Sequence, residues 1–223
     1  MSSNVWPKIE ELAKQIEHKF AETGQYYSDS THSYDWYNSL YSSPRYRRAH
    51  IEVVDRRESH KLYILHCTIF PHYNDPSPIW GFDAVCGTNK ITGAFHDFSA
   101  AGDSNHRMYQ WYKEAVSGLE WNKPRVLPDW AQQIFSPAMI AAGNLQEKME
   151  IDQLCATALS TLDYYLKNVG LDQQSGSDFH MAQNRYCHYQ KQNPQVVKSM
   201  IAMGVPESTI KQFVREVLFP ESY

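Results

Sequence analysis

KLYILHCTIF (61–70), IWGFDAVC (79–86) and KITGAFHDF (90–98) decide the architecture of this chain. Each run is short and rich in β-branched and aromatic residues, and the last two are separated by Gly87-Thr88-Asn89, a turn of hairpin composition. Consecutive strands joined by tight turns pair antiparallel, because a parallel pair needs a long crossover. A shorter strand, HIEVV (50–54), precedes them. Along 61–70 one face carries Leu62, Ile64, His66, Thr68 and Phe70, and the other Tyr63, Leu65, Cys67 and Ile69. Both faces are largely apolar, so the strand is expected to be covered on both sides.

Helical periods surround these strands. Trp6, Ile9, Leu12, Ile16 and Phe20 predict a helix over 6–22, with Pro7 suited to its first turn. Residues 25–44, rich in Tyr, Ser and Asp, are expected to be ordered but irregular. Further helices are predicted over 104–118, 146–169, 178–192 and 207–218. The longest has Ile151, Leu154, Ala158, Leu162 and Leu166 on one stripe and Gly170 as a stop, and the last two are separated by Asn193-Pro194 and Gly204. An antiparallel sheet with helices on its faces belongs to the α+β, three-layer class. There is no βαβ alternation, glycine-rich nucleotide fingerprint, internal repeat or low-complexity linker, so one domain over 1–223 is expected and a dinucleotide-binding fold is not.

The composition is that of a globular protein, 223 residues with 42% hydrophobic, 21% charged and a net charge of -4. That balance argues against general nucleic-acid binding, which needs a basic field. Aromatics near Arg45, Arg47 and Arg48 would suit RNA stacking, but no RNA motif follows them. The first 20 residues are charged and lack an apolar signal core, and no run reaches the length of a membrane span. A soluble, cytoplasmic protein is expected. Cys67, Cys86, Cys155 and Cys187 form no metal-binding or redox spacing and read as buried free thiols.

Chemistry gathers on the strands. His66 lies in an apolar surface, where a lone histidine is commonly a satisfied core residue. Asp83 shares a strand face with Ile79, Gly81 and Val85. A carboxylate there is expensive unless it is paired, bonded to backbone amides or protonated, and burial would raise its pKa toward neutrality. His50 and Glu52 share a face of the shorter strand. Together these strands could present His, Glu, His and Asp to one cavity, a set able to deliver protons in turn. The same side chains could also ligate a metal, although their spacing matches no metal motif. A Gly-x-Ser-x-Gly elbow is absent, and Cys67 and His66 point to opposite faces.

SSPRYRRAHIEVV (42–54), KLYILHCTIFP (61–71), IWGFDAVCG (79–87) and GAFHDFS (93–99), followed by HYQKQNPQ (188–195) and REVLFP (215–220), resemble the ferredoxin-dependent bilin reductases in order and spacing. The resemblance spans roughly 40–220. It implies an α-β-α sandwich with a central antiparallel sheet, and biliverdin IXα bound between the sheet and the C-terminal helices. It also implies single electrons arriving from reduced ferredoxin, with no bound metal or flavin; the sequence is silent on oligomeric state, and a monomer is the default expectation. Asp83 matches the aspartate that protonates the bilin, His66 its proton-sharing partner, and Glu52 the glutamate associated with D-ring vinyl reduction. His50 matches a pocket histidine and Asn193 an asparagine that closes the pocket. The Asp, His and Glu set is that of the phycocyanobilin-forming branch.

FSPAMIAAGN (135–144) lacks a propionate-binding arginine of the family, and Gln195 stands where the family has a pocket lysine, so Lys198 or Arg185 are candidate replacements. His96 replaces a small residue before Asp97. Docking an acidic ferredoxin needs positive charge, expected from Arg45, Arg47 and Arg48 with Arg56, Arg57 and Lys61. Alternative readings are a reductase yielding phycoerythrobilin or another isomer, a non-catalytic bilin-binding protein, and an unrelated metal-dependent hydrolase.

Overall fold

The computed structural model describes residues 4–27 and 34–222. Seven strands form one antiparallel sheet in strict chain order: β1 (Gln25–Tyr27), β2 (Tyr37–Ser42), β3 (Tyr46–Arg56), β4 (Leu62–Pro71), β5 (Ile79–Cys86), β6 (Ile91–Ser99) and β7 (Ile140–Ala142). Helices α1 (Trp6–Thr23), α3 (Arg107–Val116) and α5 (Lys148–Asn168) pack on one face, and the short α2 (Arg57–His60) links β3 to β4. On the other face lie α4 (Asp129–Gln132), α6 (His180–Gln190), α7 (Pro194–Ala202) and α8 (Glu207–Phe213), the last running into a π-helical turn, Val214–Leu218. The α+β, three-layer architecture is as expected, and no helix among the described residues is long and apolar enough to cross a membrane.

Alternation along the strands sorts the core into two. Ala49, Ile51, Leu65, Cys67, Trp80, Phe82 and Phe98 are buried under α1, α3 and α5. Phe70 and Ile79 are buried under the C-terminal helices with Tyr186, Phe213 and Phe219. In α1 the period places Ile9, Leu12, Ile16 and Phe20 inward. In α5 it places Leu154, Ala158, Leu162 and Tyr165 inward, and the helix ends before Gly170. Gly170 has φ +79, and a Cβ there would collide with the backbone of Arg45. All four cysteines are buried free thiols.

Besides the short α2 and α4, which no period announces, three segments depart from expectation. Within 25–44 the chain forms β1 and β2 rather than an irregular stretch, while residues 28–33 of that segment lie outside those described. Polar Ser and Asn hide the strand pattern, yet Tyr41 packs edge-on against Phe20, 5.9 Å between centroids, and β2 pairs with β3 along its length. Asn193-Pro194 starts α7 as well as ending the preceding segment: the Asn193 side chain accepts from the Gln195 backbone N–H, and proline occupies the first turn, where its missing N–H is not needed. β7 is only three residues long, too short to show a period.

Candidate active site

The sheet register brings the chemistry together. Glu52 on β3 stands opposite His66 on β4, His66 opposite Asp83 on β5, and Asp83 opposite Phe95 on β6. Because facing residues in adjacent strands share a side of the sheet, these four form one rung toward the C-terminal helices. The next rung carries His50, Thr68, Gly81 and Asp97. Above the first rung is a cavity of about 530 Å³, with Glu52, His66 and Asp83 in its floor. Tyr186, Met200, Leu218 and Phe219 wall it on the helical side. The volume suits an organic molecule of some size.

The electrostatics of this floor are unusual. A third of the Asp83 side chain is accessible (33%), but it opens onto the cavity among apolar walls rather than onto bulk solvent. Burial pushes its carboxyl up to about 7. Glu52 is 4% exposed, and burial together with the Asp83 charge raises it to about 8. Burial lowers His66 to about 4, helped by the positive charge of Arg48. At neutral pH the rung therefore holds a proton on Glu52, a proton on part of the Asp83 population, and a neutral imidazole between them. His66 Nδ1 lies 3.9 Å from Asp83 Oδ1, beyond hydrogen-bond reach and with no charge on the ring to make an ion pair.

Polar atoms in this region lack partners. Glu52 Oε1, His66 Nε2, His50 Nδ1 and Thr68 Oγ1 are buried without a hydrogen bond. One unsatisfied buried polar atom costs about 1–3 kcal/mol, so a cluster of them on two rungs marks a surface that a ligand or water completes. The arrangement can hold and release protons toward a molecule lying along the rung. Among the described residues no three His, Cys, Asp or Glu side chains converge as metal ligands.

Several expected site residues stand elsewhere. His50 is fully buried behind the floor, its Nε2 donating to Asn38 Oδ1 at 3.0 Å, and it does not line the cavity. Burial, with Arg48 and His66 adding to it, holds its pKa well below the ordinary histidine value. It backs His66, 6.1 Å between ring centroids, instead of reaching a substrate. Asn193 and Gln195 do line the cavity, but Lys198 points to solvent from α7 and Arg185 is exposed, over Tyr189.

The arginines of 45–57 are engaged within the molecule, while Lys61 is exposed. Arg48 is 5% exposed and donates to the Val217 carbonyl in the π turn. Arg47 donates to Gln183 at 2.7 Å and lies over Phe70 and Tyr73. Arg45 donates to the Leu166 and Lys167 carbonyls, at 3.2 and 3.1 Å, at the end of α5. Arg56 and Arg57 are paired with Asp35 and with Asp55 and Glu10. Arg48 shares the face of His50 and Glu52 by plain alternation, but a bulge between Tyr46 and Arg48 also brings Arg47 over Phe70 on that side, which alternation does not foresee. In the opposite sense, WNKPRVLPDW (121–130) carries no periodicity, yet it supplies Arg125, Leu127 and Trp130 to the cavity.

A family model described as ferredoxin-dependent bilin reductase matches residues 25–220. The phycocyanobilin:ferredoxin oxidoreductase of Trichodesmium erythraeum is 29% identical over 196 residues, covering 82% of this chain and 75% of that protein. The enzyme of the same name from Gloeobacter violaceus is 26% identical over 194 residues, covering 82% and 72%. Among solved structures, PcyX matches with a TM-score of 0.71 at 24% identity, over 96% of this chain and 99% of that one. Tomato phytochromobilin synthase in complex with biliverdin matches with a TM-score of 0.70 at 16% identity, over 96% and 82%. These structural likenesses speak for the fold.

Proposed function

This chain belongs to the ferredoxin-dependent bilin reductase family, and from that premise we propose that it reduces biliverdin IXα to a phytobilin, phycocyanobilin first among the products. It is an oxidoreductase of that family. In the proposed reaction electrons come one at a time from reduced ferredoxin, with no bound flavin or metal, and each is matched by a proton. The observation that carries the reading is the Glu52–His66–Asp83 rung in the floor of a cavity about 530 Å³ in volume.

The bilin lies along the rung with its D ring toward Glu52. Asp83, raised to about 7, delivers a proton from its carboxyl to the pigment, which makes the pigment a better electron acceptor. His66 is neutral at this pH, and its unpartnered Nε2 and its Nδ1 face, at 3.9 Å from Asp83, become useful once a bilin N–H or carbonyl closes the gap. Glu52, raised to about 8, keeps its proton until the vinyl group beside it is reduced. Phe219 and Leu218 exclude water over the floor, so the protons go to the pigment rather than to solvent.

The test is an anaerobic assay with biliverdin, ferredoxin and a reducing system, with absorbance and chromatography of the product. Phycocyanobilin is the expected product. Phycoerythrobilin or another isomer would keep the reaction class and overturn the assignment of Glu52 to the D ring. Tight, spectrally shifted binding without reduction would replace the reading by that of a bilin carrier, and absence of binding would overturn it.

A further inference from the structure

We propose that Arg125 is the anchor for a propionate carboxylate of the bilin, in place of the arginine and lysine that this chain lacks. The inference rests on the bilin reading above and concerns how the pigment is held along the rung.

Arg125 is the one lysine or arginine lining the cavity among the described residues, and three acids, Glu52, Asp83 and Asp97, line it too. Without it, a substrate carrying two carboxylates would find no lysine or arginine in the lining. Its guanidinium sits over Phe95, 5.8 Å from Cζ to the ring centroid. Phe95 pairs with Asp83 in register, so Arg125 marks the end of the rung opposite Glu52. Three strand spacings separate β3 from β6, about 14 Å. A pigment with one terminal ring at Glu52 and its middle rings over Asp83 therefore turns the edge bearing its propionates toward Arg125. The residue is exposed at the rim, where a carboxylate can stay partly hydrated.

The side chain is also held in place. The Arg125 backbone N–H donates to Ala141 at 2.8 Å, and Gly143 donates to Lys123 at 2.9 Å, so the 123–125 segment is laced to β7 on both sides. The guanidinium donates to the Thr92 carbonyl and lies against Gly143, where any side chain would strike it. That single bond leaves most of the five N–H donors of the fork available, and the side chain makes no ion pair with a described residue. A guanidinium held by backbone and aimed past an aromatic ring is suited to a bidentate carboxylate.

The experiment titrates biliverdin and its dimethyl ester into the unaltered protein, R125Q and R125K, following the pigment's absorbance. The unaltered protein is expected to bind the free acid about tenfold more tightly than the ester, the size of one charge-assisted pair. R125Q should lose that tenfold for the acid and change less than twofold for the ester, and R125K should recover part of it. Equal losses for acid and ester in R125Q, or no loss for either, would overturn the anchor while leaving the bilin reading intact. A raised KM for ferredoxin with unchanged pigment affinity would overturn it in favour of partner docking. An unaltered protein that binds neither pigment would overturn the bilin reading itself.

Discussion

Two histidines on opposite faces of the sheet, His66 and His96, are both pushed by burial to about 4, yet they do different work. His96 faces α5 with both ring nitrogens engaged: Nδ1 donates to the Gly81 carbonyl at 2.7 Å, and Nε2 meets the Thr161 hydroxyl at 2.8 Å. It packs on Trp80, Phe98 and Tyr112. His66 faces the cavity with Nε2 unpartnered and a carboxyl 3.9 Å away. A depressed pKa therefore does not tell a structural histidine from a working one; the state of its hydrogen bonds does. The same contrast holds for the acids. Asp97 lines the same cavity and is buried and raised, but it accepts from Ser99 and from the Ser136 backbone N–H and hydroxyl, whereas at Asp83 burial acts with no hydrogen bond to offset it.

Substitutions on the two faces can break this contrast. The largest effect is expected at Asp83: Asp83→Asn should slow bilin reduction about 10²–10⁴-fold while pigment affinity stays within about twofold. Single-turnover kinetics under anaerobic conditions read this, and near-normal rates would remove Asp83 from the mechanism. Glu52→Gln should change the rate less, about tenfold, but shift the product to one that keeps its D-ring vinyl group, read by chromatography. An unchanged product would detach Glu52 from regiochemistry.

On the satisfied face, His96→Leu should leave turnover alone and cost about 1–3 kcal/mol of stability in chemical denaturation, because the Gly81 carbonyl loses its partner. His66→Leu should do the reverse, with lost activity and little loss of stability. Equal destabilisation by the two would erase the distinction.

The last effect is a pH dependence. Folding raises the Asp83 carboxyl from 3.8 to about 7, so between those values the folded chain binds more protons than the unfolded one. Stability from this site is full below the unfolded value and is lost as pH rises through the folded one. Asp83→Asn removes the loss, so its gain in Tm over the parent should grow from pH 5 to pH 8. A gain that stays flat across that range would mean Asp83 is not raised.

Much of this was legible in the sequence. The alternation in 61–70 and 79–86 assigned His66 and Asp83 to their faces, and the same rule put Glu52 on its face of 50–54. What alternation cannot supply is register, which turns three faces into one rung, or the bulge that brings Arg47 to the face of Arg48. His50 obeys the pattern and still misses the cavity, because Asn38 from β2 holds its ring behind the floor. Arg125 lies in a proline-punctuated loop, where position depends on contacts distant in sequence, with Thr92, Ala141 and Gly143.

The lacing of the 123–125 segment to β7 has a consequence for how copies of this chain behave when crowded together. A seven-stranded open sheet ends in two edges, and an edge with free N–H and C=O groups recruits other strands. Here the β7 edge is already taken by Lys123, Pro124 and Arg125, with Pro124 bridging to Ala142. A proline in that outermost row has no N–H to offer a further strand. The loop that presents a cation to the cavity is thus also a stop on growth of the sheet. Replacing Pro124 would be expected to appear first as a tendency to aggregate, before any change in catalysis.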